Sequence, residues 1–149
     1  MTDVLAPVAG AVQALADVPD PVFAGEIVGS GVAVAPSADG PVEAVSPVDG
    51  TVVKLHPHAY VVVAADGTGV LVHLGIDTVQ LGGEGFELLA AEGQTVTAGQ
   101  PVVRWDPAAI AAGGRSAVVP VVLMDSPPGT VVAGSVGSDV DAGAVLFSL

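Results

Sequence analysis

Short valine-rich segments, each closed by glycine or proline, constrain the fold of this chain more than any other feature. The clearest of these segments cover residues 50–55, 60–65, 70–74, 102–105 and 144–147. β-Branched residues in runs of strand length, separated by frequent turn signals, are typical of all-β sandwiches and barrels. We therefore predict an all-β fold, a single-domain antiparallel β-sandwich over residues 1–149 with at most short helical turns.

Two pairs of similar segments indicate an internal pseudo-repeat. Residues 6–15 and 46–55 share the pattern Pro-Val-x-Gly-x-Val-x-x-Leu, and residues 93–99 resemble residues 137–143. Two copies are too few for a solenoid. The pattern instead predicts turn-and-strand units that are used twice within one sandwich.

Local signals for helix and loop are few. Asp106 followed by Pro107, with glycines from residue 113, predicts a short helix over residues 106–112. A second short helical turn is predicted at 85–90, and an exposed loop at 35–41.

Composition excludes several classes of function. Three basic residues stand against 16 acidic ones, which gives a net charge of −13. Such a chain lacks the basic surface that nucleic acid or an anionic membrane requires. Its acidity would either attract a basic protein partner or only keep the chain soluble. Without cysteine it has no disulfide, thiolate metal site or cysteine nucleophile. With no signal peptide and no apolar run long enough to span a bilayer, we predict a cytoplasmic protein without membrane insertion.

The histidines are concentrated in one short stretch. They are His56, His58 and His73. Asp66 and Gly67 between the last two predict a two-residue hairpin turn, which would pair Tyr60 with His73. In that register His58 lies on the same face of the sheet as His73, one diagonal step away, where long side chains can meet. A shift of one residue would place the two rings on opposite faces.

Two converging imidazoles suit phosphoryl transfer. One neutral ring is a nucleophile near pH 7, and the second can donate an N–H group to a phosphoryl oxygen. We expect Gly75, beside His73, to keep backbone bulk away from the incoming group. From spacing alone, two other readings stay open: ordinary half-buried histidines, and a zinc site at His58 and His73.

Residues 72–81, Val-His-Leu-Gly-Ile-Asp-Thr-Val-Gln-Leu, with Gly-Glu-Gly-Phe at 83–86, resemble a known family signature. It is the phosphohistidine signature of the glucose-type EIIA family, part of the bacterial phosphoenolpyruvate-dependent sugar phosphotransferase system. Further blocks that resemble the family, in family order, are residues 6–10, 18–23, 27–31, 47–51, 58–60 and 92–96. The resemblance covers nearly the whole chain.

This resemblance implies a β-sandwich that carries phosphoryl groups. His73 would accept the group from phospho-HPr and pass it to the EIIB domain of a sugar permease, so that the chain is a phosphotransferase component serving sugar uptake. His58 matches the second family histidine, which supports the phosphoryl group and is needed for onward transfer. Asp77 matches an acidic residue beside the site; alternatively, it is a turn or N-cap carboxylate. No cofactor is implied.

The resemblance also implies an apolar surface for HPr around the histidines. Candidates to line it are Phe23, Val28 and Leu71, each of which could equally belong to the core. The family often has threonine two residues before the supporting histidine, where this chain has His56. We predict a local role at the site for His56, the alternative being a simply exposed side chain.

Three other functions match parts of the sequence. Lysostaphin-like zinc peptidases contain the patterns His-x-Gly-x-Asp and His-x-His, which residues 73–77 and 56–58 match. In those peptidases, however, His-x-Gly-x-Asp comes first, and an export signal is expected, whereas this chain has the reverse order and no such signal. Biotin and lipoyl carriers need a modifiable lysine, usually beside methionine, and Lys54 has no methionine near it. A purely regulatory binding domain, in some lineages with zinc shared at the interface, would add to phosphotransfer and not replace it. The sequence does not determine the sugar, because sugar specificity resides in the permease. The family resemblance makes glucose and N-acetylglucosamine the leading candidates, followed by β-glucosides and sucrose.

Overall fold

The computed structural model describes residues 3–149, which are built mainly from strands. The strands are β1 (Asp3–Leu5), β2 (Gly10–Ala14), β3 (Gly29–Pro36), β4 (Val42–Val45), β5 (Gly50–His56), β6 (Ala59–Val63), β7 (Gly69–His73), β8 (Phe86–Leu88), β9 (Thr95–Val96), β10 (Pro101–Trp105), β11 (Val119–Met124), β12 (Asp139–Val140) and β13 (Val145–Ser148). The helices are α1 (Pro21–Ala24) and α2 (Pro107–Ala112), with 3-10 turns at Leu15–Asp17 and Thr78–Leu81. In the described part of the chain, no helix has both the length and the apolarity needed to cross a membrane.

The strands form three antiparallel sheets. The largest has the order β12-β2-β3-β11-β7-β6-β5-β9, the second β4-β10-β8, and the third pairs β1 with β13. Their inward faces enclose one core, to which Val4 and Phe147, near the two ends of the chain, both contribute. The predicted antiparallel β-sandwich is confirmed. That residues 1–149 form a single domain stays a prediction, and residues 1 and 2 lie outside the described range.

The core-facing residues follow the two-residue period of a strand. Tyr60 and Val62 on β6, with Val70 and Val72 on β7, are fully buried. They join Trp105 of the second sheet in the same cluster. Successive side chains of a strand point to opposite faces, so Leu71 and His73 lie on the outer face of the large sheet.

Matching hydrogen bonds confirm the internal pseudo-repeat. In the first copy Gly143 donates to the Ala6 carbonyl, and in the second Gly99 donates to the Ser46 carbonyl. The repeated segments 137–143 and 93–99 hold β12 and β9, which pair with β2 and β5 and end the large sheet on its two sides. Each repeat therefore supplies a long strand and the short strand that covers its edge.

The helix prediction at residues 106–112 is confirmed, but that at 85–90 is wrong. Asp106 caps α2 by accepting the N–H of Ala109 at 3.1 Å. At 85–90 the chain forms β8 instead, with Phe86 opposite Trp105 and the two rings parallel at 6.2 Å. Pairing with β10 determines the strand conformation of this segment, which its local sequence alone does not predict. The predicted loop at 35–41 is shorter, because β3 continues through Pro36.

The predicted register of the β6–β7 hairpin is wrong by one residue. Ala59, not Tyr60, is opposite His73. Ala64 donates to the Thr68 carbonyl, which leaves three residues in the loop instead of two. The third is Gly67, with φ of 89°, a left-handed conformation that favours glycine.

Candidate functional site

His58 and His73 meet although the strand register does not bring them together. β5 and β6 are joined by a two-residue turn, Pro57 and His58, closed by the pair His56 and Ala59. His58 is therefore a turn residue, and its side-chain direction is not set by the alternation of faces along a strand. Its ring lies 5.3 Å from the His73 ring, centroid to centroid, with the planes at 70°. The structure thus brings His58 and His73 together, but through the turn and not through the predicted diagonal pairing of two strand residues.

A short hydrogen bond fixes the orientation of the His73 ring. Its Nδ1 lies 2.5 Å from the carbonyl oxygen of Gly75. A carbonyl oxygen only accepts hydrogen bonds, so Nδ1 carries the proton in the neutral ring. The other nitrogen, Nε2, is then left with a free electron pair. Phe23 packs against the same ring, with centroids 5.2 Å apart.

Gly75 is required by the backbone. Its φ is 83°, and a Cβ there would lie 2.7 Å from Thr78 Cγ2 and 3.0 Å from the Ser116 carbonyl oxygen. Thr78 is itself held by a hydrogen bond from Oγ1 to the Leu74 carbonyl. We predicted that glycine at this position leaves room for an incoming group. The structure shows a different reason for glycine: only this residue lets the chain turn here and direct its carbonyl at His73.

The surroundings of both histidines favour the neutral form. Burial lowers the pKa of His73, against opposing effects of the Gly75 hydrogen bond and of the Asp20 and Asp77 carboxylates. Burial also lowers the pKa of His58, and the neighbouring His73 and His56 lower it further. An uncharged imidazole at neutral pH is the form that can act as a nucleophile.

Two carboxylates lie near His73, of which sequence analysis singled out only one. Asp77 is exposed, with φ of 59°, and its side chain does not cap the 3-10 turn that follows. Asp77 therefore stands at the N-cap position of this turn but does not cap it through its carboxylate. Asp20, which was missed, caps α1 by accepting the N–H of Val22 at 2.9 Å. Its Asp-Pro pattern signals a cap, but only the packing of α1 beside β7 brings it near His73.

His56 is exposed, and its ring is stacked on His58. The two centroids lie 5.7 Å apart and the planes are inclined by only 21°. His56 is thus in ring contact with the second site histidine.

The three predicted docking residues differ in exposure. Phe23 is only 8% exposed and belongs to a small core cluster on the outer face of the sheet. Val28 and Leu71 are half-buried and pack against that cluster. Aliphatic side chains that do reach solvent here were missed by sequence analysis, because nothing local distinguishes them from core residues. They are Val22 (43% exposed) and Ile27 (73%) around α1, and Val79 (59%) in the turn after Asp77.

Within residues 3–149, no group of three or more His, Cys, Asp and Glu side chains is arranged to hold a metal ion. The zinc site considered at His58 and His73 would have two protein ligands, fewer than the three or four usual for zinc.

Comparisons with known proteins agree on one family. The model of the family described as phosphoenolpyruvate-dependent sugar phosphotransferase system, EIIA 1, matches residues 2–127. A glucose-specific EIIA component of Bacillus anthracis is 40% identical over 143 residues, which cover 95% of this chain and 85% of the relative. One from Bacillus cereus is 41% identical over 136 residues, covering 90% and 81%.

A solved structure gives the same result. Glucose permease IIA from Mycoplasma capricolum superposes with a TM-score of 0.86 at 31% identity, over 97% of this chain and 93% of that one. The peptidase-like and purely regulatory alternatives are accordingly not favoured. The chain belongs to the glucose-type EIIA family of the phosphoenolpyruvate-dependent sugar phosphotransferase system, and it is a phosphocarrier between HPr and an EIIB component.

Proposed function

We propose that His73 is the phosphoryl acceptor and that its Nε2 is the attacking atom. The observation that carries this proposal is the hydrogen bond from Nδ1 to the Gly75 carbonyl. It commits the single proton of the neutral ring to Nδ1, so the electron pair of Nε2 is free. The lowered pKa of His73, caused mainly by burial, keeps the ring neutral at physiological pH.

The proposed step exchanges one nitrogen–phosphorus bond for another. Nε2 of His73 attacks the phosphorus of the phosphohistidine on HPr, and the bond to the donor nitrogen breaks. The donor ring carries a proton on its other nitrogen before transfer, so that it takes back the electron pair of that bond and leaves as a neutral imidazole. The phosphoryl oxygens keep their negative charge, while His73 retains its proton on Nδ1 and its ring takes over the positive charge that the donor ring loses. In onward transfer a nucleophile of EIIB attacks the phosphorus, the Nε2–phosphorus bond breaks, and its electron pair returns to His73, which becomes neutral again. Catalysis therefore consists of positioning and electrostatics.

His58 is proposed as the group that stabilises the phosphoryl oxygens. Its ring is in direct contact with His73, and an imidazole N–H is a suitable donor to an oxyanion. The negative charge of the phosphoryl group would raise the pKa of His58 and so favour its protonated form. His58 would therefore carry charge when His73 is phosphorylated and be neutral when it is not.

Asp20 and Asp77 are proposed to favour a cationic partner and onward transfer. Both carboxylates act on His73 electrostatically. They would attract basic residues of a docking protein, as the net charge of −13 does at longer range. With no partner present they repel a phosphoryl group on His73, which makes its departure more favourable.

The proposed docking surface for HPr and EIIB is the aliphatic rim of the site. It consists of the exposed Val22, Ile27 and Val79 together with the half-buried Val28 and Leu71. Apolar side chains around a reactive group exclude water when a partner binds. Phe23, which is buried, would support His73 from below and offer a partner little area.

We further propose that the protein works in the cytoplasm and serves glucose uptake. The names of the Bacillus relatives support the choice of glucose. Regulatory partners, and zinc held between His58, His73 and such a partner, stay predictions. The transfer itself is proposed to need no metal or other cofactor.

Incubation with phosphoenolpyruvate, enzyme I and HPr, followed by intact mass measurement and phosphosite mapping, tests the proposed acceptor. We expect a gain of one acid-labile phosphoryl group on His73. No gain, with HPr shown to be phosphorylated in the same tube, would contradict the proposal, as would a label on His58 or His56.

A further inference from the structure

His56 and His73 lie at the two ends of one row of residues across three strands. β5 places His56 opposite Ala59, and β7 places His73 opposite the same Ala59. Directly opposed residues of antiparallel strands point to the same face of the sheet. The outer face therefore carries a histidine, a single methyl group and a second histidine, in that order.

His58 spans this row. Neighbouring strands are about 4.8 Å apart, so the backbone positions at the ends of the row are separated by roughly 10 Å. The His58 ring contacts both of them, stacked at 5.7 Å on His56 and inclined at 5.3 Å to His73. Ala59 leaves space for this, because its side chain ends at Cβ.

The position of the His58 ring depends on these contacts. His58 is half-buried and belongs to a two-residue turn. In the part of the chain that the structure describes, its ring makes contacts with the rings of His56 and His73 but no hydrogen bond. The His56 ring is therefore one of the two rings whose contacts restrict the rotation of His58.

We propose that His56 is a positioning residue for phosphoryl transfer, which acts through His58 and rests on the roles proposed for His73 and His58. Stacking by His56 holds the His58 ring ready to donate to the phosphoryl group. The negative charge of a phosphoryl group favours a proton on His58, which would come from solvent. The flat face of the stacked ring stays in contact with the cation that results.

The charged groups near this pair include the Glu92 carboxylate, which accepts the N–H of Leu55, the residue before His56, at 3.2 Å. His73 lies on the other side of His58, and the Asp20 and Asp77 carboxylates act on His73. Lys54, which is exposed and two residues before His56 on β5, points to the same face of that strand. Lys54→Gln is therefore a matched control, because it removes a positive group from the same strand without touching the stack.

Two variants separate the ring from its charge. His56→Gln removes the stacked ring, whereas His56→Phe keeps a flat ring that cannot be protonated. Histidine NMR titration gives the pKa of His58 in each protein, and quenched flow from preformed phospho-His73 to EIIB gives the rate of onward transfer. Acceptance from phospho-HPr is measured in parallel.

We expect His56→Gln to raise the pKa of His58, because a neighbouring group that lowers it has been removed. Onward transfer should become about tenfold slower in this variant, since a misplaced group costs up to roughly a hundredfold. His56→Phe should retain most of the rate and show a smaller rise in the pKa. Lys54→Gln should leave both quantities unchanged.

The proposal is overturned if His56→Gln matches Lys54→Gln in both the His58 titration and the transfer rate. It is also overturned if His56→Phe is as slow as His56→Gln, because the ring would then not matter. If the unmodified protein takes no label on His73, the proposed acceptor fails. If it takes and passes the label normally while His56→Gln does the same, only the role of His56 fails.

Discussion

The rings of His58 and His73 meet at 70° with their centroids 5.3 Å apart, although one belongs to a turn and the other to a strand. This geometry gives the two histidines unequal freedom. His73 is tied to the backbone through Gly75, whereas His58 is held by its neighbouring rings. Such an arrangement suits a fixed acceptor beside an adjustable stabiliser.

Replacing His58 should separate acceptance from onward transfer. In His58→Gln the Nε2 atom of His73 is still free, so we expect labelling by phospho-HPr to continue. Transfer to EIIB should fall by about a hundredfold, the order of magnitude lost with a single oxyanion donor. Single-turnover assays of the two half-reactions measure this, with His73→Gln as the variant that takes no label. Equal losses in both half-reactions would contradict the separate roles.

Acceptance should persist to a pH below the usual titration range of histidine. The reactive form is neutral, and burial lowers the pKa of His73. The rate of labelling should therefore stay constant as the pH falls past about 6.5 and decline only near the lower pKa of the folded protein. A pH profile of single-turnover labelling, with HPr phosphorylated beforehand, measures this. A decline centred above 6.5 would mean that His73 is easier to protonate than its burial implies.

The same shift should make the free energy of unfolding depend on pH. Above about 6.5, His73 is neutral in both the folded and unfolded states; below it, the unfolded chain binds the proton first. Stability should thus fall as the pH drops from about 6.5 to the lowered pKa of the folded state. Urea unfolding across this range should show a smaller loss for His73→Gln than for the unmodified protein, and an identical loss would argue against the shift.

The charge of Asp20 should affect the pKa of His73 but not the stability of the fold. Asp20→Asn keeps a side-chain oxygen for the cap of α1 but removes the negative charge. Because that charge raises the pKa of His73, the variant should lower the pKa further, and binding of HPr should weaken and depend less on salt. NMR titration and isothermal calorimetry at two salt concentrations test this. Asp17→Asn, an exposed acid in the adjacent 3-10 turn, is the control that should leave the His73 titration unchanged.

Crowding at Gly75 should matter more than its backbone angle. Gly75→Ala and Gly85→Ala both introduce a side chain at positive φ, 83° and 87°, at a cost of about 1–2 kcal/mol each. Only at Gly75 does the added Cβ meet other atoms, the nearest 2.7 Å away on Thr78. We expect the larger loss of stability, and slower labelling, in Gly75→Ala. Equal behaviour in denaturant titrations and labelling assays would show that the carbonyl at residue 75 does not depend on this fit.

The buried hydroxyl of Tyr60 should contribute to stability and not to transfer. It donates to the Val45 carbonyl at 2.7 Å, and burial raises its pKa far above the usual value. Tyr60→Phe leaves that carbonyl without its donor and should cost about 1–3 kcal/mol of unfolding free energy. Ser148→Ala removes an exposed hydrogen bond to Asp3 and should change stability by less than about 0.5 kcal/mol. The rate of His73 labelling should be normal in both variants. Slower labelling of Tyr60→Phe would show that this buried hydrogen bond also affects the histidine site.

Local patterns predicted much of the strand framework. The valine runs lie within a residue or two of β5, β6, β7, β10 and β13, because alternating burial demands β-branched residues at fixed spacing. Asp106 and Pro107 predicted α2 because a cap acts within one turn. Phe86 was assigned to a helix, since its partner Trp105 lies far away in sequence.

The site was predictable where its residues are close in sequence and not where packing assembles it. The Asp66-Gly67 pair indicates a hairpin but does not distinguish a two-residue loop from one with a third, left-handed residue. The register was therefore wrong, and His58 reaches His73 only because it stands in the turn. Asp20 and the exposed Ile27 join the site through α1, whose position no local pattern encodes.

The pairing of β1 with β13 determines where any added segment would leave the protein. Asp3 is paired with Ser148, and Asp3 also borders the cleft lined by Asp66 at the tip of the β6–β7 hairpin. That tip is separated from the histidines by the length of β7, about 14 Å. A tag, a linker or a fused neighbour joined after Leu149 would therefore depart from this corner, about the length of one strand away from the reactive histidines.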